Sequence, residues 1–250
     1  MLAAMRETFH WPDFTPAFEH AARHAGFSAR RLAETAAGPL VAWERPAAGP
    51  RVYLSAGIHG DEPAGLLALL ELMRGNFFAP EIDWTVCPAL NPTGLAAGRR
   101  ENAQGLDLNR DYRLRRSAEV LAHADWLAAR TAPSLFVSLH EDWEAAGFYL
   151  YEINPGEDVP RRARDIIAAV GPCFAPESGN DIDGHAPREP GWIFHAAEAD
   201  VPEGWPEAIF LAKLGCPLSF TLETPSHAPL ASRVAAHRAA TRAACRHLTD

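Results

Sequence analysis

Apolar residues recur along this chain with two periods, and the alternation between them predicts the architecture. Leu66, Leu69, Leu70 and Met73 fall at i, i+3, i+4 and i+7 behind Pro63, the pattern of an amphipathic helix that ends near Gly75. Phe18, Ala22 and Ala25 have helical spacing and make the first ~30 residues a helical lead-in, with Thr15-Pro16 as cap and first turn. Further helices are expected over residues 117–130 behind a Ser117 cap, over 161–170 and 207–214, and over the Ala-rich 226–248. Between them lie short apolar runs at 40–43, 52–56, 82–87, 135–139 and 218–222, and an alternating run at 148–153, all of which read as strands. The first two flank the Pro46–Pro50 turn and are expected to pair with each other. Asn91-Pro92-Thr93-Gly94 reads as a turn, 95–116 as a long Gly- and Arg-rich loop, and 171–206 as a Pro/Gly-rich stretch without assignment. Strands alternating with helices predict an α/β fold: a mixed, mostly parallel sheet with helices on both faces.

Composition narrows the class. The 250 residues are 48% hydrophobic, enough for one substantial core, and no linker or repeat divides them, so a single domain over 1–250 is expected. The formal net charge of −9 argues against nucleic acid or an anionic membrane as partner, since both call for a concentrated basic face. No 18-residue apolar stretch suggests a membrane span, and the first residues lack the apolar core of a signal peptide. The four cysteines are scattered without a CxxC pair, which suits free thiols in a reducing cytoplasm and makes them poor metal-ligand candidates. Oligomeric state is not legible.

The polar residues at the strand ends carry the chemistry. His59 sits in Gly57-Ile58-His59-Gly60-Asp61-Glu62-Pro63, a glycine-rich turn from strand to helix, with Glu62 at the helix start. Ligands of open α/β sheets gather at such carboxyl ends. His140 closes the apolar run 135–139, and Glu223 follows the run 218–222. Two imidazoles and a carboxylate are a catalytic zinc set that leaves a position open for water. Each piece alone has a plain alternative: Glu62 as a carboxylate favoured by the helix dipole, His140 bonded to backbone, Glu223 in a salt bridge with an arginine. In the long loop, Arg110 offers a planar fork for a substrate carboxylate and Asn109 a hydrogen bond, although Asp107 and Asp111 could neutralise that arginine. Arg99 and Arg100 are candidates for holding an oxyanion.

Taken in order, H59-G-D-E62-P-A-G, N91-P-T-G, R100-E-N-A-Q-G-L-D-L-N109-R110, S-L-H140 and T-L-E223-T-P resemble the M14 family of zinc carboxypeptidases, over residues 57–225. The resemblance implies one Zn2+ per chain held by His59, Glu62 and His140. It implies Asn109 and Arg110 as binders of the substrate carboxylate, Arg100 as oxyanion partner and Glu223 as general base. Compact relatives include murein peptide amidases and, more distantly, succinylglutamate desuccinylases and aspartoacylases. One feature departs from the family: the tyrosine expected shortly before the general base is absent, with no Tyr between 152 and 222. His185, Arg188 or His195 stand as replacements. Arg188 facing an acidic substrate, or Asp181 and Asp183 facing a basic one, are the candidate specificity residues.

The expected activity is therefore a zinc-dependent metallopeptidase that hydrolyses an amide bond beside a free carboxylate, on a small peptide or acyl-amino acid. The alternatives are a deacylase of N-acyl amino acids and a zinc-binding pseudoenzyme.

Overall fold

A computed structural model describes residues 9–155 and 160–248; the part of the expected lead-in before residue 9 lies outside them. Helix α1 (Trp11–His24) opens the chain, followed by β1 (Ser28–Thr35), β2 (Gly38–Arg45) and β3 (Arg51–Ala56). Then come α2 (Pro63–Arg74), β4 (Asp83–Cys87), α3 (Pro92–Ala97), α4 (Ala118–Ala128), β5 (Leu135–Asp142) and β6 (Tyr149–Ile153). The chain closes with α5 (Pro160–Val170), β7 (Trp192–His195), α6 (Glu207–Lys213), β8 (Ser219–Pro225) and α7 (Leu230–Cys245). No helix among the described residues is long and apolar enough to cross a membrane.

The eight strands form one sheet in the order β1-β2-β4-β3-β5-β8-β6-β7. The contacts β4-β3, β3-β5, β5-β8 and β6-β7 are parallel, and β1-β2, β2-β4 and β6-β8 antiparallel. The sheet is therefore mixed, with a parallel centre, as expected. Its central strands are buried on both faces. Val52, Leu54 and Ala56 of β3, with Leu135, Val137 and Leu139 of β5, join the core under α1, α2, α5 and α7. Tyr53 and Phe136 point the other way, into the core under α4 and α6. This period-two division places helices on both faces and explains why the central strands read as unbroken apolar runs.

Several local expectations need correction. β2 and β3 are both strands but do not pair, because β4 lies between them. The Pro46–Pro50 segment therefore joins two strands that are one place apart. β1 falls where no strand was expected. Its accessible face has the polar composition of an edge strand, so it gave no apolar signal. Helix α1 starts four residues before Thr15, with Pro12 in its first turn and Pro16 inside it. The Asn91–Gly94 turn is the start of α3. Asn91 Oδ1 accepts from Gly94 N at 2.8 Å as the helix cap. The Ser117 cap forms as expected, its Oγ accepting from Val120 N at 3.2 Å.

Candidate metal centre and active site

The carboxyl ends of β3, β5 and β8 converge on a cavity of about 520 Å³. His59 lies just past β3. His140 lies within β5, which runs on to Asp142, and pairs in register with Glu223 of β8. Strand pairing thus brings the second imidazole and the carboxylate to one level of the sheet.

His59, Glu62 and His140 are buried and present ligand atoms that all lie within 4.8 Å of one another. His59 Nδ1 is 2.6 Å from Glu62 Oε1, and His140 Nδ1 is 3.1 Å from Glu62 Oε2. Both imidazoles turn the same nitrogen to the same carboxylate. Two nitrogens and a carboxylate, dry and convergent, are a donor set that suits a zinc-class ion. The charges say the same. Burial opposes ionisation of Glu62, yet the two imidazoles outweigh it and hold the carboxyl well below the usual range. Burial lowers His59, but Glu62 and Asp107 raise it to about 9, so without an ion a proton supplies the positive charge.

The surroundings of this trio explain its shape. Glu62 is at the N-cap of α2 but makes no side-chain capping bond. That duty falls to Glu141, whose Oε1 accepts from Ala64 N at 2.7 Å while Oε2 meets Arg233. The plain reading of Glu62 as a helix-end carboxylate is thereby displaced, and its side chain is left to face the imidazoles. Its Oε2 also accepts from Glu141 N at 3.1 Å. On the far side of His59, Nε2 lies 3.2 Å from Asp107 Oδ1, the carboxylate–histidine arrangement that orients a ligating ring. Asp107 belongs to the same D-L-N-R stretch as the expected clamp, where the sequence alone marks it as a neutraliser of Arg110; the fold turns it to His59 and Arg100 instead. Gly60 is required by close approach: a Cβ there would stand 2.0 Å from Gly94 C and 2.4 Å from Arg99 O. That contact seats the arginine loop beside His59.

Arg100 sits at the cavity wall, its Nη2 3.1 Å from Asp107 Oδ2 and its Nη1 3.6 Å from Glu62 Oε1. Arg99 is exposed and only Arg100 lines the cavity. Asn109 and Arg110 both line it. Asn109 Oδ1 accepts from Glu207 N at 3.0 Å, which leaves the NH2 end of the amide for a ligand. Arg110 is exposed. Asp107 pairs with Arg100, and Asp111 with Arg116 and Ser117, while Arg110 Nη1 donates to the Asn109 carbonyl oxygen at 3.0 Å. Glu223 lines the cavity too. Burial, then the negative charge of Glu62, Asp142 and Asp183, pushes its carboxyl well above the usual range.

Phenols are present after all, from a strand before the expected position. Tyr149 and Tyr151 of β6 line the wall near Glu223 of β8, and Tyr149 pairs in register with Glu223. Tyr149 Oη donates to Asp142 Oδ2 at 2.9 Å and Tyr151 Oη to Asp183 Oδ2 at 2.5 Å. His185 and His195 line the cavity as well. Arg188 instead stacks over Trp192 and Phe194, and neither it nor Asp181 is part of the wall.

The chain is similar to known proteins in sequence and in fold. Residues 48–146 match the succinylglutamate desuccinylase/aspartoacylase catalytic domain, a span that holds His59, Glu62 and His140 but stops short of Glu223. Carboxypeptidase 2 of Trichophyton tonsurans is 33% identical over 141 residues, 53% of this chain and 24% of that protein. The chain thus spans about a quarter of the length of the curated relatives it matches. A Shewanella amazonensis protein assigned to the metallopeptidases superposes with a TM-score of 0.82 at 27% identity, covering 94% of this chain and 92% of its own. The chain is similar to M14-like, carboxypeptidase-like metallopeptidases. A metallo-carboxypeptidase of Burkholderia cenocepacia, 20% identical with a TM-score of 0.68, shares the fold with this M14-like chain over 93% of it.

One further buried carboxylate lines this wall. Glu207 accepts from Tyr53 Oη at 2.7 Å and from Ser55 Oγ at 2.8 Å, and Tyr53 also meets His123 at 2.9 Å. Burial outweighs those hydrogen bonds and raises the carboxyl to about 7. The folded state then binds more protons than the unfolded chain between the ordinary carboxylate range and pH 7. The stability that Glu207 contributes is full at low pH and lost as pH rises through about 7. Glu207→Gln is therefore expected to flatten the fall in unfolding free energy between pH 5 and 8. Urea titration of both proteins across that range reads the difference, and parallel curves would contradict it.

Proposed function

We propose that this chain is a zinc-dependent hydrolase, acting as a single catalytic domain, that cleaves an amide bond next to a free carboxylate on a small peptide. The observation that carries the reading is the placement of a buried His59–Glu62–His140 trio, the Glu223 carboxylate and the Arg110 fork around one cavity. A zinc-class ion on the trio would supply Lewis-acid polarisation of the scissile carbonyl and lower the pKa of a water.

The protein's own groups account for the rest. Arg110 and the NH2 end of Asn109 bind the substrate carboxylate and so fix the distance of the amide bond from the sheet edge. Arg100, held charged by Asp107 and Glu62, faces the oxygen on which negative charge develops. Glu223 takes a proton from the attacking water and returns it to the leaving amine. Its raised carboxyl pKa suits a group that carries a proton between two partners, and a cation on Glu62 would offset part of the negative field behind that shift. Asp107 keeps the His59 ring oriented.

Removal of N-acyl groups from amino acids is the second reading, favoured by the matched domain over 48–146. Both readings use the clamp, so they are separated by substrate. C-terminal dipeptides and murein-type peptides are compared with short N-acyl amino acids, each with a free and an amidated carboxylate. Hydrolysis of the free-carboxylate peptides supports the proposal; turnover of acyl-amino acids alone replaces it with the second reading. On the active substrate, Arg110→Ala is expected to raise KM about 10–100-fold, the loss of a charged hydrogen-bonded pair. An unchanged KM would reject the clamp.

A further inference from the structure

The opposite wall of the cavity carries a second group of ligand-type side chains. His185, His195 and Asp200 offer atoms that lie within 4.8 Å of one another. They come from three segments: a tight hairpin, the end of β7, and the link from β7 to α6. The hairpin is closed by a reciprocal pair of backbone hydrogen bonds. Ile182 and His185 exchange backbone hydrogen bonds at 2.9 and 3.0 Å around Asp183 (φ 49°) and Gly184 (φ 78°), the backbone of a primed turn. Asp183 is further tied to Tyr151, whose ring meets both histidine rings, at centroid distances of 5.4 and 5.9 Å.

The distances discriminate between a hydrogen-bonded cluster and an ion site. His185 Nε2 is 3.6 Å from Asp200 Oδ2, and His195 Nε2 is 3.5 Å from Asp200 Oδ1. Both exceed the 2.7–3.2 Å range of an N–H···O bond. They match the roughly 3.4 Å that separates two ligands of a tetrahedral ion with bonds of about 2.1 Å. The tautomer agrees. His195 Nδ1 meets the carbonyl oxygen of Ala196, which can only accept, so Nδ1 bears the proton. The other ring nitrogen, Nε2, is left to face the Asp200 carboxylate, as a ligand nitrogen faces a carboxylate across a shared ion.

The geometry points to a second metal site, in which His185 Nε2, His195 Nε2 and Asp200 hold a zinc-class divalent ion. Bound there, the ion ties the link carrying Asp200 to the hairpin and to β7, and so fixes one wall of the cavity. The site shares no ligand with the His59–Glu62–His140 trio and stands whether or not that trio catalyses hydrolysis.

Equilibrium dialysis against Co2+ and Zn2+ tests it, with stoichiometry as the readout. Wild type is expected to bind two ions per chain, His140→Ala one, His195→Ala one, and the double variant none. Because Asp200 is two-thirds exposed, Asp200→Asn leaves the fold intact and is expected to weaken the second binding about tenfold or more. A single ion in the wild type that is abolished by His140→Ala overturns the site. So does an unchanged stoichiometry in His195→Ala together with an unchanged second affinity in Asp200→Asn. Loss of the trio's ion alone would count against the first centre and leave this one standing.

Discussion

Glu223→Gln is expected to keep its metal and its fold and to lose about 10²–10⁴-fold in kcat. Gln has the same shape and can still accept a hydrogen bond, but it cannot take a proton from water or carry one to an amine. The loss corresponds to about 3–5 kcal/mol of transition-state stabilisation and should fall on kcat rather than KM, because Glu223 acts on the reacting atoms and not on the substrate carboxylate. Its position makes the substitution clean. Glu223 is a register partner of both His140 and Tyr149 in the sheet, so the backbone holds the residue whatever its side chain. The folded state also gains by losing a carboxyl that burial and neighbouring negative charge keep from ionising. Thermal stability should therefore equal or exceed that of the wild type. Steady-state kinetics beside metal analysis check this, and near wild-type turnover with metal retained would remove Glu223 from the reaction.

His59, His140 and Glu223 were legible as candidates because each follows an apolar run, and strand ends on one side of a parallel sheet face one crevice; Glu62 was legible from its place at the start of α2. Helices α2 and α4 were legible for a similar reason, with periodic apolar faces and, in α4, a serine cap. What periodicity does not encode is the partner. It marks residues 40–43 and 52–56 as strands but says nothing of β4 running between them. Nor does it reveal that Glu141, beside His140 in sequence, caps the helix that carries Glu62. Asp107 shows the same limit: the motif marks it as polar, and only the fold shows it divided between His59 and Arg100. Residues 171–206 were the least legible. Their wall is built from a Gly turn, a four-residue strand and irregular link, and so has no period to read. That wall holds His185, His195 and Asp200, and its counterpart β6 supplies the phenols that were sought later in the chain.

His140→Ala is expected to abolish metal binding at the trio and, with it, hydrolysis. The side chain is buried and offers one of the trio's three ligand-type atoms, and its removal leaves Glu62 with a single imidazole. Arg100, which also reaches Glu62, is a cation and cannot take its place as a ligand. Loss of structure could mimic this result, and thermal unfolding separates the two. An ion that binds only the folded chain stabilises it by about 2.7 kcal/mol at a hundredfold excess over Kd. For a chain of this size, that raises Tm by about 5–11 °C. Wild type should show such a rise on adding zinc and lose it on chelation. His140→Ala should unfold cooperatively and lack the part of the zinc response due to the trio. The deleted imidazole costs packing and its contact with Glu62, so the variant should unfold somewhat below the chelated wild type even without metal, and the zinc-dependent rise rather than the absolute Tm is the readout. A His140→Ala protein that keeps both the wild-type ion count and the full zinc response would show that the ion, if any, sits elsewhere, and the assignment of Glu62 and His59 would fall with it.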